Sequence, residues 1–238
     1  MPRSKRLLCI AMVFLAFAPG TASAQSDSSF SVMINTGLSF THANDPHINK
    51  WLAKYHYPTE PHTPCSFNIE VSAMPVASRL MYSVGLSTIV SANNLTSYTV
   101  AGGLYSAFVK RKNFILLAGA AAGFHKDIIR LNGDMPADYK ALAIQYNKVL
   151  CLHRGGLFIE PAMRMFWFPL SADRWQLGIN AGLGIDIDVN TPWKLGYYDG
   201  NHGEYGRFRK IKKPADQEKV SEHGLAFGTG LSFRLNLY

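Results

Sequence analysis

From residue 25 onward the chain has no uninterrupted apolar segment close to the roughly 20 residues that a membrane-crossing helix requires. A helical membrane protein is thereby excluded for that part. If it enters a membrane it must do so as a closed barrel, the other structure that satisfies every backbone hydrogen bond in lipid. Charge is also scarce: Asp, Glu, Lys and Arg make up 17% of the 238 residues. Such a balance suits short strands that are apolar on one face. The formal charge of +8 falls to +5 once Arg3, Lys5 and Arg6 are set aside, a modest, scattered excess that does not suggest nucleic acid as a partner. The eight histidines follow no metal-ligand spacing. No Ser–His–acid grouping stands out either. No metal, no cofactor and no catalytic role are expected.

What the sequence does contain begins with a leader. Arg3, Lys5 and Arg6 precede an apolar stretch at 7–18, then Pro19, Gly20 and the small-residue site Ala22-Ser23-Ala24. This layout predicts a cleaved secretory signal peptide at 1–24, leaving a single domain at 25–238, 214 of the 238 residues, outside the cytoplasm. Two cysteines remain there, Cys65 and Cys151. An oxidising compartment permits a disulfide between them. A bridge needs Cα atoms within about 7 Å, however, and these residues precede strands placed far apart around a barrel wall. Both states stand open.

Period-two alternation recurs along the domain. Phe30, Val32, Ile34, Thr36, Leu38 and Phe40 alternate with Ser31, Met33, Asn35, Gly37 and Ser39. Similar runs occupy 66–73, 80–87, 177–188 and 225–237, and less regular ones 97–110, 113–125 and 156–168. The total is eight strands. Gaps after the odd strands fall at 41–64, 91–96, 126–155 and 189–223; those after the even strands fall at 74–78, 111–112 and 169–175. Three of the four odd gaps are long, and every even one is short. Long outer loops, short periplasmic turns and an even strand count are the organisation of an outer-membrane barrel. The expected fold is an all-β, antiparallel up-and-down transmembrane barrel of eight strands, apolar faces toward lipid. Its inner face is dominated by Gly, Ser, Ala and Asn.

The last segment, GLAFGTGLSFRLNLY at 224–238, resembles the C-terminal strand of bacterial outer-membrane barrels. Those end in an alternating apolar strand closed by an aromatic residue. The resemblance implies an assembly signal in Phe233, Leu235, Leu237 and Tyr238, read by the barrel assembly machinery. Tyr238 falls one step out of register with the other three. The glycine-rich run at 118–124 and Phe158-Ile159-Glu160-Pro161 are similar to small OmpA-type or PorT-like barrel domains. The implied setting is the outer membrane of a Gram-negative bacterium, with outer-membrane lipid and lipopolysaccharide as surroundings and a monomeric state.

By parity Glu70, Glu160, Arg164 and Arg234 face inward, and buried charges need partners. They are expected to form one interior charge network that plugs the barrel; a gate for small solutes is the other reading. The histidines fall in outer gaps or at outer strand ends. Arg207, Arg209, Lys210, Lys212 and Lys213 cluster in the fourth outer gap, either to hold lipopolysaccharide phosphates or simply as a solvated loop. Ile48, Trp51, Leu52 and Tyr55 have helical spacing in the first gap, as loop core or as a lid. The leading expectation is a non-catalytic barrel with a structural or surface-binding role. The alternative is an enzyme acting on lipid A or peptides at the outer rim, with His125 and Asp127, or Asp186 and Asp188, as its nearest candidates. The PorT-like resemblance implies a third, an accessory barrel in protein secretion.

Overall fold

A computed structural model describes residues 29–43, 46–54, 64–90, 95–131, 140–141, 143–144, 149–189, 193–199, 206–211 and 223–237. The proposed leader, Lys212, Lys213 and Tyr238 lie outside the described residues.

The strands are β1 (Phe30–Ala43), β2 (Cys65–Pro75), β3 (Leu80–Ile89), β4 (Leu95–Arg111), β5 (Phe114–Arg130), β6 (Cys151–Ser171), β7 (Trp175–Val189), β8 (Lys194–Asp199), β9 (Arg207–Lys210) and β10 (His223–Leu237). A helix, α1 (Pro46–Lys54), lies between β1 and β2. Eight strands, β1 to β7 and β10, pair antiparallel with their neighbours. The β5–β6 pairing closes the ring. Closure removes the unpaired edges that an open sheet would present.

Side-chain direction follows the expected alternation. Ser31, Met33 and Asn35 are buried inside, while Ile34 and Leu38 face out. Leu86, Leu104, Ile159, Leu183, Phe227 and Leu231 continue an exposed apolar belt around the wall. Leu157 and Leu231 are each 61% exposed. Soluble monomers rarely show contiguous apolar patches beyond a few hundred Å². A belt that encircles a closed barrel is the inside-out arrangement of a transmembrane barrel.

Two expectations need correction. The fourth outer gap is not all loop: β8 and β9 form a hairpin whose first strand pairs with the outer end of β6. The third gap is also shorter than expected, because β5 runs on to Arg130 and β6 starts at Cys151. Above the belt the pattern inverts. Ile129, Leu152 and Leu195 are buried, and they join Leu52 of α1, Leu150, Trp193 and Ile211 in an apolar cluster over the outer end. A search for outward-facing apolar residues stops where this water-side packing begins.

Close strand approach has its own requirement. Gly37 of β1 and Gly230 of β10 are directly paired. A Cβ on either would run into the other's Cα and a neighbouring backbone carbonyl. Glycine is the residue that permits this approach.

Candidate functional site

The lumen is layered. At the mouth that carries the short turns the Arg234 guanidinium donates to Ser31 Oγ (2.8 Å) and Gln176 Oε1 (3.1 Å). Gln176 Nε2 in turn donates to Ser171 Oγ at 2.9 Å and to the Lys112 carbonyl at 3.1 Å. Above this latch, Met33, Met74, Met81, Tyr105, Ile115, Leu117, Phe166 and Phe168 form a buried apolar cluster. These side chains pack at inward positions into a plug of Met, aromatic and aliphatic groups, and Arg234 bonds to Ser31 and Gln176 beside it, while Glu70 pairs with Arg164. Arg234 stacks over the Phe168 ring at 5.8 Å, which ties latch to plug.

At mid-depth two of the remaining three charges meet, while Glu160 lines the same lumenal cavity. Arg164 of β6 pairs with Glu70 of β2 and lies over the Tyr105 ring at 4.4 Å. In the ring of eight, β2 and β6 are four places apart, so this ion pair spans the lumen. Glu70 also accepts from Asn35 Nδ2 (3.0 Å) and Ser72 Oγ (2.9 Å). Asn35 Oδ1 accepts from Ser232 Oγ at 2.7 Å, and Asn180 Nδ2 donates to Ser232 Oγ at 2.8 Å. One continuous network therefore links β6, β2, β1, β10 and β7. The same diametric placement separates Cys65 from Cys151. No disulfide joins the two, and Cys151 Sγ donates to the Gly196 carbonyl at 3.6 Å.

Between the plug and the outer apolar cluster lies a cavity of about 320 Å³. Glu70, Glu160 and Arg164 line its lower part, and His125, Asp127, Arg154, Asp186 and Asp188 its upper part. It reaches the outer rim beside Thr41, Pro64 and Leu95, while Asn49 of α1 and Trp193 border it above. Thus α1 both packs into the outer cluster through Leu52 and contributes to the cavity wall.

The two candidate pairs considered from the sequence, His125 with Asp127 and Asp186 with Asp188, line this one cavity. Arg154, directly across from Asp127 on the β5–β6 ladder, joins them. Arg154 donates to Asp127 Oδ2 from Nη2 at 2.6 Å and from Nε at 3.0 Å, and its Nη1 lies 3.2 Å from Asp188 Oδ2. His125 faces Gly156 on β6, and with no side chain in its way its Nδ1 reaches Asp188 Oδ1 of β7 at 3.2 Å. Sequence reasoning missed Arg154 because it placed that residue in a loop. The signal available was the charge complement, Asp127 and Arg154 both falling on the inward parity of their strands.

Outside the barrel and above the belt, His153 packs against Phe208 (4.6 Å between ring centroids) and edge-on to Tyr198 (6.0 Å). Lys126 lies over the Tyr198 ring at 4.8 Å. Burial, with Lys126 and Lys194 nearby, pushes His153 down to about 4, so it is neutral at pH 7. Arg207, Arg209 and Lys210 stand on β9 of the same flap, and Arg209 Nε pairs with Asp199 Oδ2 at 3.2 Å. Phe233, Leu235 and Leu237 all face outward on β10. Of the histidines, His47, His56, His62 and His202, and the side chains of His42 and His223, lie outside the described residues.

No protein-family model matches this chain, and no curated protein does. Among solved structures it is similar to Neisserial surface protein A, with 8% identity and a TM-score of 0.45 over 88% of this chain and 99% of that one. It is similar to the outer membrane protein OprG from Pseudomonas aeruginosa, with 8% identity and a TM-score of 0.41 over 91% of this chain and 100% of the other. The N-terminal β-barrel domain of Pseudomonas aeruginosa OprF gives 8% identity and a TM-score of 0.39, with coverages of 87% and 99%.

Proposed function

We propose that this protein is a non-conducting, non-catalytic barrel of the outer membrane whose working surface is its outer rim. The observation that carries this reading is the pairing of an apolar belt outside with an apolar plug filling the periplasmic half of the lumen. The belt suits acyl chains. The plug leaves no aqueous path through eight strands, whose interior is just wide enough to be filled by side chains. The flap that carries Arg207, Arg209 and Lys210 also holds Lys194, and Lys126 stands beside it. A cationic, aromatic strip just above the belt suits lipopolysaccharide phosphates, which would hold the protein at the surface.

Reconstitution into planar lipid bilayers tests the first part. The folded protein, identified by heat-modifiable migration, is expected to insert without stepwise current; discrete single-channel openings would overturn the non-conducting reading. Compact monomers in detergent-free buffer would overturn the membrane reading. Lipid A mass analysis and peptide-cleavage assays, comparing the protein with a His125→Ala variant, test the absence of catalysis. A product that the variant fails to make would establish an enzyme instead.

A further inference from the structure

The end of the barrel that carries the short turns is strongly basic. Arg79 closes the β2–β3 turn, Arg111 and Lys112 lead into the β4–β5 turn, and Arg174 lies in the β6–β7 turn. All four are exposed. None pairs with a carboxylate among the described residues. Asp173 is the one acidic residue on these three turns, and no Asp or Glu occurs anywhere from 71 to 126.

The backbone that carries these cations is held in place. Each short turn is bonded to the next strand around the ring. The Ala107 N–H donates to the Arg79 carbonyl at 2.7 Å, the Phe168 N–H to the Asn113 carbonyl at 2.8 Å, and the Asn236 N–H to the Arg174 carbonyl at 2.8 Å. The Lys110 ammonium donates to the Val76 and Ser78 carbonyls, each at 2.6 Å, and so clamps the β2–β3 turn from the neighbouring hairpin. The turns thus form one connected collar. The apolar belt runs directly up to it: Leu80 follows Arg79 and Trp175 follows Arg174 in the chain. Leu80, Trp167, Leu170, Trp175 and Leu237 are exposed on the wall at this end. Exposed tryptophan at the edge of an apolar band marks the level where acyl chains give way to headgroups. Arg and Lys at that level keep their stems on apolar surface and their charges among the headgroups.

We propose that this collar binds anionic phospholipid, with the phosphates of phosphatidylglycerol-type headgroups seated between the cations of neighbouring turns. The proposal rests on the reading that the belt faces acyl chains. Each Lys or Arg at a membrane surface adds to the attraction for anionic lipid, and a guanidinium can hold a phosphate through two parallel hydrogen bonds. A zwitterionic headgroup carries an ammonium that the same cations repel, so the collar selects net negative lipid. A water-soluble acidic partner would use the charges but not the apolar wall directly beside them; a phospholipid uses both. The collar lies at the opposite end of the barrel from the flap of Lys194, Arg207 and Arg209, so each rim of the belt has its own cations.

The test is tryptophan quenching in vesicles. The full barrel carries Trp51→Phe, which leaves Trp167 and Trp175 at the collar as the exposed tryptophans, since Trp193 is buried. Phosphatidylcholine vesicles are doped with phosphatidylglycerol or phosphatidylcholine bearing brominated acyl chains, which quench tryptophan on contact. Brominated phosphatidylglycerol is expected to associate about threefold more strongly than its phosphatidylcholine counterpart. The preference is expected to vanish in the combined Arg79→Gln, Arg111→Gln, Lys112→Gln and Arg174→Gln variant. It is also expected to vanish without any change to the collar when NaCl is raised from about 0.1 M to about 1 M, and to survive Lys50→Gln on α1. Equal quenching by the two lipids, a preference unchanged in the combined variant, or one that persists at high salt would overturn the proposal and leave the membrane reading standing. No quenching by either lipid would overturn both. Binding of an octaglutamate peptide to the barrel in phosphatidylcholine vesicles, without a lipid preference, would assign the collar to an acidic chain instead and overturn the proposal. If the combined variant loses heat-modifiable migration, Arg79→Gln with Arg174→Gln takes its place and is expected to halve the preference; an unaltered preference there would count against the collar.

Discussion

The lumen-spanning ion pair is the most quantitative test of the interior. The Arg164 and Glu70 side chains are 21% and 14% exposed, and they join opposite walls. Breaking a buried pair by removing one partner typically costs about 3–5 kcal/mol. Glu70 would keep its bonds from Asn35 and Ser72, and the cavity lies directly above it, so Arg164→Met falls at the lower end, about 3 kcal/mol. Glu70→Gln leaves the guanidinium on the Tyr105 ring with a neutral acceptor beside it, and is expected to cost about 2 kcal/mol. The double variant loses both charges together and is expected to cost about 3 kcal/mol rather than the sum of about 5. The coupling of about 2 kcal/mol is roughly a thirtyfold change in the unfolding equilibrium. Urea unfolding of the barrel in lipid vesicles, followed by tryptophan fluorescence, measures all four corners of the cycle. Additivity to within about 0.5 kcal/mol would show that the pair does no joint work and refute the lumen-spanning network.

Leu231 lies at mid-depth on the outward face, paired with Thr36 and Ile179. Leu231→Arg should destabilise the barrel in vesicles by about 2–4 kcal/mol, and a neutral effect there would contradict the lipid-facing belt. Phe168→Ala empties part of the plug and is expected to cost about 3–5 kcal/mol and to give small bilayer currents, whereas currents in the parent but not in this variant would contradict the assigned seal. Gly230→Val drives a branched side chain into Gly37 and the Thr36 carbonyl, so loss of the heat-modifiable form is expected, and normal folding would show that β1 and β10 can separate. His153 is held below its ordinary value, so the folded state takes up fewer protons than the unfolded chain. Its contribution is present above pH 6.5 and is lost as pH falls from there toward about 4. Resistance to urea should drop over that window, and a His153→Gln variant should lack that part of the drop.

Phe30, Val32 and Ile34 set against Ser31, Met33 and Asn35 announce a ribbon with two unlike faces, and short even gaps announce hairpins. The eight barrel strands and their two unlike faces follow from such local patterns, because the side-chain period of a strand is fixed at two, whereas alternation by itself leaves open which face turns outward. Inward parity likewise marked Glu70, Glu160, Arg164 and Arg234 as lumenal. Tertiary structure decided which of them meet. Arg164 reaches Glu70 because ring closure sets β6 opposite β2, and apolar side chains from six strands converge between that pair and Arg234. It also decided the union of His125, Asp127, Arg154 and Asp188, since β5 and β6 continue above the belt, where burial runs inward and the outward-apolar signal disappears. Alternation is a property of each strand by itself. Depth and cross-lumen contact are properties of the closed ring, and closure is where this chain's cavity arises.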